Sequence, residues 1–217
     1  MVDRDFIVGL YRKRARHYDG TANLYYLIGF REYAYRRQAV AALMLRPGDV
    51  VVELGCGTGL NFALLQKAVG PTGKIVGVDL TAEMLDRARR RVDANGWKNV
   101  ELIHDDIANY EFASPVDGVI STFAVTLSPD YDRVISHAAA ALAPGGRCVI
   151  LDLKRRDDVP PWLLRFGVWI TRPFGVTMEM TERRPWESIS RYLVDASLKN
   201  LYFGFAYLAV GVKNIQP

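Results

Sequence analysis

The sequence predicts an α/β domain in which helices cover both faces of a doubly wound, mostly parallel sheet. Two observations predict it. Short apolar or β-branched runs, typical of buried strands, alternate with stretches of helical periodicity. A glycine-rich loop also joins the first such run to a helical pattern, and in open α/β sheets nucleotide-like ligands bind at junctions of this kind. The chain has 217 residues, half of them hydrophobic, which is enough for one domain with a sizeable core.

The segment ahead of the sheet, from Phe6 to Leu45, is predicted to be helical. Apolar residues recur there at roughly helical spacing, with arginines between them, and the segment contains Arg16-His17-Tyr18-Asp19. A turn at 46–49 leads into the first predicted strand, Val50–Leu54. This segment is therefore expected to lie beside or over the sheet.

The first strand ends on the acid Glu53 and Leu54, and glycine then recurs at every second position. Glycine lets the backbone turn tightly and approach a ligand without a Cβ in the way. The dinucleotide fingerprint would need a further glycine where Leu60 stands, and no Gly-Lys-Ser/Thr triplet follows as a phosphate-binding loop requires. Glu53 also suits a cationic group or a hydrogen-bond donor better than a phosphate. The loop therefore matches neither the dinucleotide fingerprint nor a phosphate-binding loop, and Glu53 favours a ligand that is cationic or donates a hydrogen bond.

The next two strands also end near acids. The second, Lys74–Asp79, ends on an acid that can accept hydrogen bonds from ribose hydroxyls. Met84 follows in the first turn of a helical stripe. The third, Val100–His104, precedes Asp105-Asp106-Ile107. Asp79 is therefore a candidate for binding the ligand of the glycine loop.

The remaining chain completes the sheet. Val116–Ser121 is predicted as the fourth strand, followed by a helix at 131–142. The turn Ala143-Pro144-Gly145-Gly146 should stop that helix before the fifth strand at 147–153. A basic and aromatic insert occupies 154–187, and a helix is predicted at 188–195. Two strands at 198–203 and 206–212 would form a terminal antiparallel hairpin.

Taken together, these motifs resemble the class I S-adenosylmethionine-dependent methyltransferases. The resemblance rests on the Glu-x-Gly-x-Gly-x-Gly loop, the upstream Tyr-Asp pair, the acids after the second and third strands and the Leu-x-Pro-Gly-Gly turn, and covers about Tyr11 to Val212. It implies a Rossmann-like, seven-stranded, mostly parallel sheet with a terminal antiparallel hairpin and an N-terminal helical lid. The cofactor implied is S-adenosylmethionine.

The resemblance also implies a set of site residues. Glu53 and the glycine loop would hold the methionine tail, Asp79 the ribose, and Asp106 with Ile107 the adenine. The full set expected to bind the cofactor is Tyr18, Glu53, Gly55, Cys56, Gly57, Gly59, Asn61, Asp79, Leu80, Met84, Asp106, Ile107 and Ser121.

Few catalytic residues are expected from the chemistry of methyl transfer. Methyl transfer from a sulfonium is an in-line displacement with an activated leaving group, so proximity and orientation matter most. A neutral amine acceptor needs no general base, whereas a carbon or hydroxyl acceptor usually does. His17, with Tyr18 beside it, is the best candidate base because it lies by the expected lid. No metal site is expected, since Cys56 and Cys148 have no metal-ligand spacing and are interpreted as buried hydrophobic residues.

The acceptor has to be inferred from outside the common core. Methyltransferases that modify base amino groups carry an Asn/Asp-Pro-Pro-aromatic motif after the fourth strand, where this chain has Ser121-Thr122-Phe123, so nucleic acid is not expected. The chain looks like bacterial enzymes that N-methylate phospholipid or betaine-lipid headgroups and, more distantly, like ubiquinone/menaquinone C-methyltransferases. The favoured acceptor is a membrane-lipid headgroup amine. C-methylation of a quinone precursor or other small molecule, and a non-enzymatic scaffold that keeps the cofactor fold, are the alternatives.

The expected organisation is one methyltransferase domain. It would comprise a lid at 1–45, a cofactor-binding core at 46–153, a substrate cap or membrane-facing insert at 154–187, and a terminal helix and hairpin at 188–217. No run reaches the roughly 18 apolar residues of a spanning helix, so a cytoplasmic protein is expected. Arginines at 12–16 and the Trp/Arg-rich stretch 160–172 could attach it peripherally to an anionic membrane. The oligomeric state stays open.

Overall fold

The computed structural model describes residues 29–113, 115–156, 158–160 and 179–215, together with Gly9 and Trp169. Seven strands form one sheet: β1 (Val50–Leu54), β2 (Lys74–Asp79), β3 (Val100–His104), β4 (Val116–Thr122), β5 (Leu142–Leu153), β6 (Val194–Leu201) and β7 (Ala206–Val212). Their order is β3-β2-β1-β4-β5-β7-β6. The first five strands are parallel, and β7 runs antiparallel to both β5 and β6. The predicted sheet, including its antiparallel hairpin, is confirmed.

Helices cover both faces of this sheet. They are α1 (Glu32–Ala42), α2 (Phe62–Val69), α3 (Ala82–Ala94), α4 (Tyr131–Ala141) and α5 (Pro185–Tyr192). Buried residues of α1, α2 and α3 form one core cluster with the sheet, and buried residues of α4 and α5 form the other. Apolar residues three and four apart supply these faces, as Leu85, Ala88 and Val92 do on α3. The sheet is therefore doubly wound, as predicted.

The strand register brings functional residues to one edge. Glu53 lies opposite Gly77 of β2 and Ile120 of β4, so β1 ends level with both neighbours. The chain reverses its winding direction between β1 and β4, which open α/β sheets use as a ligand-binding crevice. The loops after β1, β2, β3 and β4 consequently surround a single space.

Three predicted boundaries in the second half are wrong. β5 begins at Leu142, so the predicted turn at 143–146 lies within the strand, where Leu142 pairs with Val116 before a register shift. The helix predicted at 188–195 is α5, which begins earlier because Pro185 occupies its first turn. β6 then begins at Val194 rather than at Leu198, since pairing with β7 imposes the strand on a polar, exposed sequence.

Part of the predicted lid and insert lies outside the described residues. Of the predicted N-terminal helical segment, α1 is the helix whose bounds are described, and it begins at Glu32. Most of the stretch 160–172 also lies outside them, as do the basic residues at 12–16. Within the described ranges, no helix combines the length and apolar character needed to cross a bilayer.

Candidate functional site

A cavity of about 320 Å³ opens at the carboxyl edge of the sheet, between the loops that follow β1, β2, β3 and β4. It brings together eight of the residues predicted to bind the cofactor. They are Gly55, Cys56, Gly57, Asp79, Leu80, Met84, Asp106 and Ile107. Residues that lie more than 50 positions apart in the sequence therefore line one space, as the parallel topology predicts.

The glycine loop enters the cavity by folding back on β2. The N–H groups of Gly55 and Cys56 both donate to the carbonyl of Val78, at 2.8 and 3.0 Å. Gly55 has a φ of +72°, and a Cβ on it would come within 2.3 Å of the Ala124 Cβ. Glycine is thus required at this position for two reasons, the left-handed backbone and the close approach of the loop after β4.

Asp79 ties the glycine loop to the start of α3. Its Oδ2 accepts the N–H of Gly57 at 2.8 Å, and its Oδ1 accepts the N–H of Thr81, the N-cap residue of α3, at 2.9 Å. Burial raises the pKa of this carboxyl, while those two backbone hydrogen bonds oppose the shift. Each carboxylate oxygen has two lone pairs, so Asp79 retains acceptor capacity toward the cavity that it lines.

Glu53 and Asn61 lie behind the cavity wall rather than on it. Asn61 is fully buried and donates from Nδ2 to Glu53 Oε1 at 2.6 Å. The other oxygen, Oε2, is buried without a hydrogen-bond partner among the described residues. Burial raises the pKa of Glu53 to about 7, although the nearby Arg36 charge and the Asn61 hydrogen bond lower it. The structure thus holds a buried carboxyl group that has one unmatched oxygen and a pKa above its ordinary value.

Arg36 of α1 is a cavity residue that the sequence analysis missed. Its guanidinium makes a buried ion pair with Glu32 at 2.8 Å and donates to Thr122 Oγ1 at 2.6 Å. It also donates to Asn61 Oδ1 at 3.3 Å and lies 5.2 Å from the centroid of the Phe123 ring. The available signal was a Glu and an Arg four positions apart on the same helical stripe as the apolar Ala39, Val40 and Leu43.

The loop after β3 forms another wall. Asp106 Oδ1 accepts the N–H of Ala108 at 3.0 Å, and Asp105 Oδ1 accepts the N–H of Asp106 at 2.7 Å. These bonds fix a tight turn that presents Asp106 and Ile107 to the cavity beside Met84. His104 does not line the cavity; it is exposed, and its Nε2 lies 2.9 Å from the Leu80 carbonyl.

Ser121 and Gly59 were predicted in the site but are not brought to the cavity. The buried Ser121 hydroxyl donates to the Leu54 carbonyl at 2.9 Å, and its neighbour Thr122 lines the cavity instead. Successive strand residues point to opposite faces, so the prediction was off by one position. A Cβ on Gly59 would meet the Phe62 ring at 2.5 Å, so this glycine serves the packing of α2.

The predicted bases His17 and Tyr18 lie outside the described residues, as does any cofactor contact by Tyr18. Both cysteines are buried, as predicted. Burial raises the pKa of Cys56 well above its ordinary value and that of Cys148 to about 12, so both thiols are protonated at neutral pH.

The wall opposite the glycine loop follows β4. Phe123 and Ala124 line it, then the 3₁₀ turn Val125–Leu127 and residues 128–130. Two buried charged side chains hold this turn by its backbone. Asp152 Oδ2 accepts the Thr126 N–H at 3.1 Å, and Arg183 donates to the carbonyls of Thr126 and Leu127 at 2.7 and 2.9 Å.

Asp152 and Arg183 are further residues that the sequence analysis did not single out. Burial raises the pKa of Asp152 to about 6. An acid at the end of the apolar run of β5 was the available signal for Asp152. No local pattern marks Arg183.

Comparison with known proteins finds similarity to methyltransferases. Residues 51–146 match the family described as "Methyltransferase domain". The chain is 38% identical over 117 residues to an arsenite methyltransferase of Halobacterium salinarum. The matched region is 54% of this chain and 30% of that protein. It is 31% identical over 123 residues to a demethylmenaquinone methyltransferase of Bacillus cereus. This matched region is 56% of this chain and 52% of that protein. The chain thus spans from under a third to about half of the curated relatives it matches.

Among solved structures, an S-adenosylmethionine-dependent methyltransferase from Aquifex aeolicus is similar, with a TM-score of 0.58 and 21% identity. The match covers 82% of this chain and 88% of that one. At this identity the likeness shows the fold alone.

Proposed function

We propose that this protein, whose residues 51–146 match the methyltransferase-domain family, is a class I S-adenosylmethionine-dependent methyltransferase that acts on a small or lipid-borne acceptor. The observation that carries the proposal is the cavity at the carboxyl edge, which the glycine loop, Asp79 and Asp106 line together. S-adenosylmethionine, when bound, supplies a methyl group on a sulfonium that needs no further activation. The chain's own task is then to orient donor and acceptor and to exclude water.

The adenosine part fits the side formed by β2 and β3. Asp79 would accept hydrogen bonds from ribose hydroxyls with the lone pairs that Gly57 and Thr81 leave available. Asp106 would accept from the adenine amino group, with Ile107 and Met84 against the ring. An acid and apolar side chains side by side suit a ligand that is polar at its rim and flat and apolar across its face.

The amino-acid tail fits the side formed by β1 and α1. This tail carries one carboxylate and one ammonium, and the region offers one cation and one unmatched anion. Arg36 lines the cavity, and Glu53 Oε2 lies buried without a partner among the described residues. We assign Arg36 to the carboxylate and the negative field of Glu53 to the ammonium.

The acceptor would lie against the wall after β4. Phe123, Ala124, Leu127 and Pro129 make that wall largely apolar, with Asp130 and Arg133 at its edge. His104 does not line the cavity and its Nε2 faces a backbone carbonyl, so it is not proposed as a base. His17 and Tyr18 remain the proposed proton acceptors for any acceptor that must lose a proton. A neutral amine needs none.

A membrane-lipid headgroup amine is the acceptor we favour, acted on by a cytoplasmic protein at the membrane surface. The support is the basic and aromatic composition of 160–172, in which the described Trp169 is 66% exposed. Tryptophan and arginine together are typical of segments at a lipid–water interface. The apolar acceptor wall agrees with a substrate that is partly hydrocarbon.

Two other chemistries are weighed against this one. C-methylation of a quinone precursor has support from the similarity to the Bacillus cereus protein. Methylation of arsenite is disfavoured, because trivalent arsenic binds clustered thiolates and, among the described residues, Cys56 is the one cysteine that lines the cavity. A scaffold that only binds the cofactor would keep the Asp79 contacts but show no turnover.

The test separates binding from turnover. Calorimetry should detect S-adenosylhomocysteine binding to the purified protein and no binding of NAD. Transfer of tritiated methyl groups to total lipid, to quinone precursors and to RNA, assayed separately, should label the lipid fraction. Label in the quinone fraction alone would favour C-methylation, binding without any label would favour the scaffold, and tight NAD binding without S-adenosylhomocysteine binding would contradict the cofactor assignment.

A single substitution tests the ribose contact. Asp79→Ala should weaken S-adenosylhomocysteine binding by about 1–3 kcal/mol, the usual cost of an unmatched hydrogen-bonding group. Asp86→Ala, on the exposed face of α3, is the matched control and should bind with the wild-type dissociation constant. Equal affinity for the folded Asp79→Ala variant would remove Asp79 from the site.

A further inference from the structure

Phe123, the residue that follows β4, has a strained backbone in the wall of the cavity. Its φ is +57°, in the left-handed region that bulky residues rarely adopt. Its N–H donates to the Leu151 carbonyl at 2.8 Å, so the chain still pairs with β5 at this point. Glycine or asparagine would adopt the same backbone at lower cost. The presence of phenylalanine is therefore explained by its side chain and not by the turn, and strain of this kind is concentrated at functional sites.

The Phe123 ring brings an aromatic surface to the cavity. It is partly buried, and among the described residues that line this space it is the one aromatic side chain. Its centroid lies 5.8 Å from that of the Phe30 ring in an edge-to-face contact and 5.2 Å from the guanidinium carbon of Arg36. The contact with Arg36 is of the cation–π type, so the ring lies where it can attract positive charge within the site.

Phe123 lies between the two ends of the cofactor as we assign them. The tail carboxylate is assigned to Arg36, which contacts the ring. The ribose is assigned to Asp79, which holds the glycine loop through a backbone N–H. That loop meets the wall at Ala124, since a Cβ on Gly55 would come within 2.3 Å of the Ala124 Cβ. The sulfur of S-adenosylmethionine is bonded to both the tail and the ribose C5′, so this part of the wall is the part that would face it.

We propose that the Phe123 ring attracts the sulfonium of S-adenosylmethionine and thereby distinguishes the charged methyl donor from its neutral product, S-adenosylhomocysteine. An aromatic face attracts a cation that lies within about 6 Å of its centroid. The tail carboxylate would match the charge of Arg36, so the guanidinium would not oppose a second cation near the ring. This inference rests on the proposed function, because it takes the cofactor as assigned and adds the residue that selects the donor form.

Packing against Phe30 is the other role that the ring could have. A ring that only fills space contributes equally to the binding of donor and product, because the two ligands share their adenosine and amino-acid parts. An attraction to charge acts on the donor alone, since loss of the methyl group removes the positive charge from the sulfur. The ratio of the two dissociation constants therefore separates the two roles, and its measurement requires no knowledge of the acceptor.

The test compares the two ligands by calorimetry on the full chain. Phe123→Leu keeps an apolar side chain and removes the aromatic face. We expect S-adenosylmethionine to bind about tenfold more weakly, the size of a desolvated cation–π contact, and S-adenosylhomocysteine affinity to change less than about twofold. Phe123→Tyr retains a ring and should keep the wild-type ratio of dissociation constants.

Phe30→Leu is the matched control. It removes the neighbouring ring, which is buried, contacts Phe123 and is not among the residues that line the cavity. It should leave the ratio unchanged even if the free energy of unfolding falls. Circular dichroism checks that each variant is folded. Should Phe123→Leu not fold, Phe123→Met is measured in the same way, because its unbranched side chain adapts to irregular space.

Three outcomes would overturn the inference. Equal weakening of both ligands in the Phe123 variants without a ring would assign the ring to packing. Unchanged affinity for both ligands would remove the ring from the surroundings of the sulfur. A change of ratio in Phe30→Leu as large as that in Phe123→Leu would assign the effect to the wall as a whole. Failure of the proposed function is distinguishable from all three, since wild type would then bind neither ligand, and the inference would fall with it.

Discussion

Two buried carboxylates at the carboxyl edge of the sheet, Glu53 of β1 and Asp152 of β5, use their oxygens differently. They are 1% and 5% exposed, and burial raises their pKa values to about 7 and about 6. Asp152 accepts one backbone N–H at each oxygen, from Leu153 and from Thr126. Glu53 has Asn61 at one oxygen and no partner at the other among the described residues.

The difference separates a group that shapes the site from a group that is left available to a ligand. Both Asp152 bonds hold backbone, and one of them fixes the turn at 125–127 in the acceptor wall. An unmatched buried oxygen costs about 1–3 kcal/mol, so the arrangement at Glu53 is stabilising only when a donor or a positive charge completes it. This contrast is the basis of our proposal that the negative field of Glu53 serves the charged tail of the cofactor, whereas Asp152 fixes the acceptor wall.

The largest expected effect comes from removing the cation on the Glu53 side. Arg36→Met should lower the free energy of unfolding by about 3–5 kcal/mol, because it leaves Glu32 and Glu53 buried without their positive partner. Urea unfolding followed by circular dichroism measures it. Arg37→Met, at the exposed neighbouring position, is the control and should change stability by less than about 0.5 kcal/mol. A similar loss in both variants would refute the special role of Arg36.

A smaller loss of stability is expected at Gly55, where the glycine loop after β1 touches the wall after β4. Gly55→Ala should destabilise the protein by about 2–4 kcal/mol, because its Cβ would overlap Ala124 and the residue would keep a left-handed φ. Gly96→Ala separates the two causes, since its φ is also positive and nothing lies within 4 Å of the added Cβ. That control should lose about 1 kcal/mol, and equal losses would show that strain alone accounts for Gly55.

The pH dependence distinguishes the two carboxylates directly. Their pKa values rise from ordinary values of 4.5 and 3.8, so the folded state binds the proton more tightly than the unfolded state does. Stability from each group is therefore greatest below its ordinary pKa and declines as pH rises, by about 3 kcal/mol in each case. Glu53→Gln should remove the decline in the free energy of unfolding between pH 4.5 and about 7. Asp152→Asn should remove the decline between pH 3.8 and about 6.

Urea unfolding at a series of pH values measures the free energy of unfolding of wild type and of both variants as a function of pH. Saturating S-adenosylhomocysteine should shift the Glu53 part of the curve and leave the Asp152 part unchanged, since only the former faces a ligand in our assignment. A ligand that shifts both parts equally would contradict the division between an available and a committed carboxylate.

The smallest effect concerns neighbouring residues on opposite faces of β4. Ser121→Ala should cost about 1 kcal/mol of stability, through the lost hydrogen bond to Leu54, and leave S-adenosylhomocysteine affinity unchanged. Thr122→Val should instead weaken binding, because it removes the hydroxyl that accepts from both Arg36 and Asn61. Calorimetry on the two variants measures this, and a reversed order of affinities would contradict the strand register.

The sequence by itself determined the elements whose information is local. β2 and β3 have the bounds that were predicted, because each is a short run with β-branched or apolar residues and clear breakers at its ends. The glycine loop, Asp79 and Asp106 were found for a related reason. Parallel strands in a doubly wound sheet must bring their carboxyl ends together, so an acid after each strand has a predictable place.

Only the tertiary structure decided the features that depend on partners distant in the chain. β6 could not be predicted at its start, since an exposed edge strand has no apolar period and exists there through pairing with β7. Arg36 acquires its role from Thr122 and Asn61, and Arg183 from the carbonyls of Thr126 and Leu127. Burial turns these ordinary surface residue types into site residues, because a charge removed from water must find its partners wherever the fold supplies them.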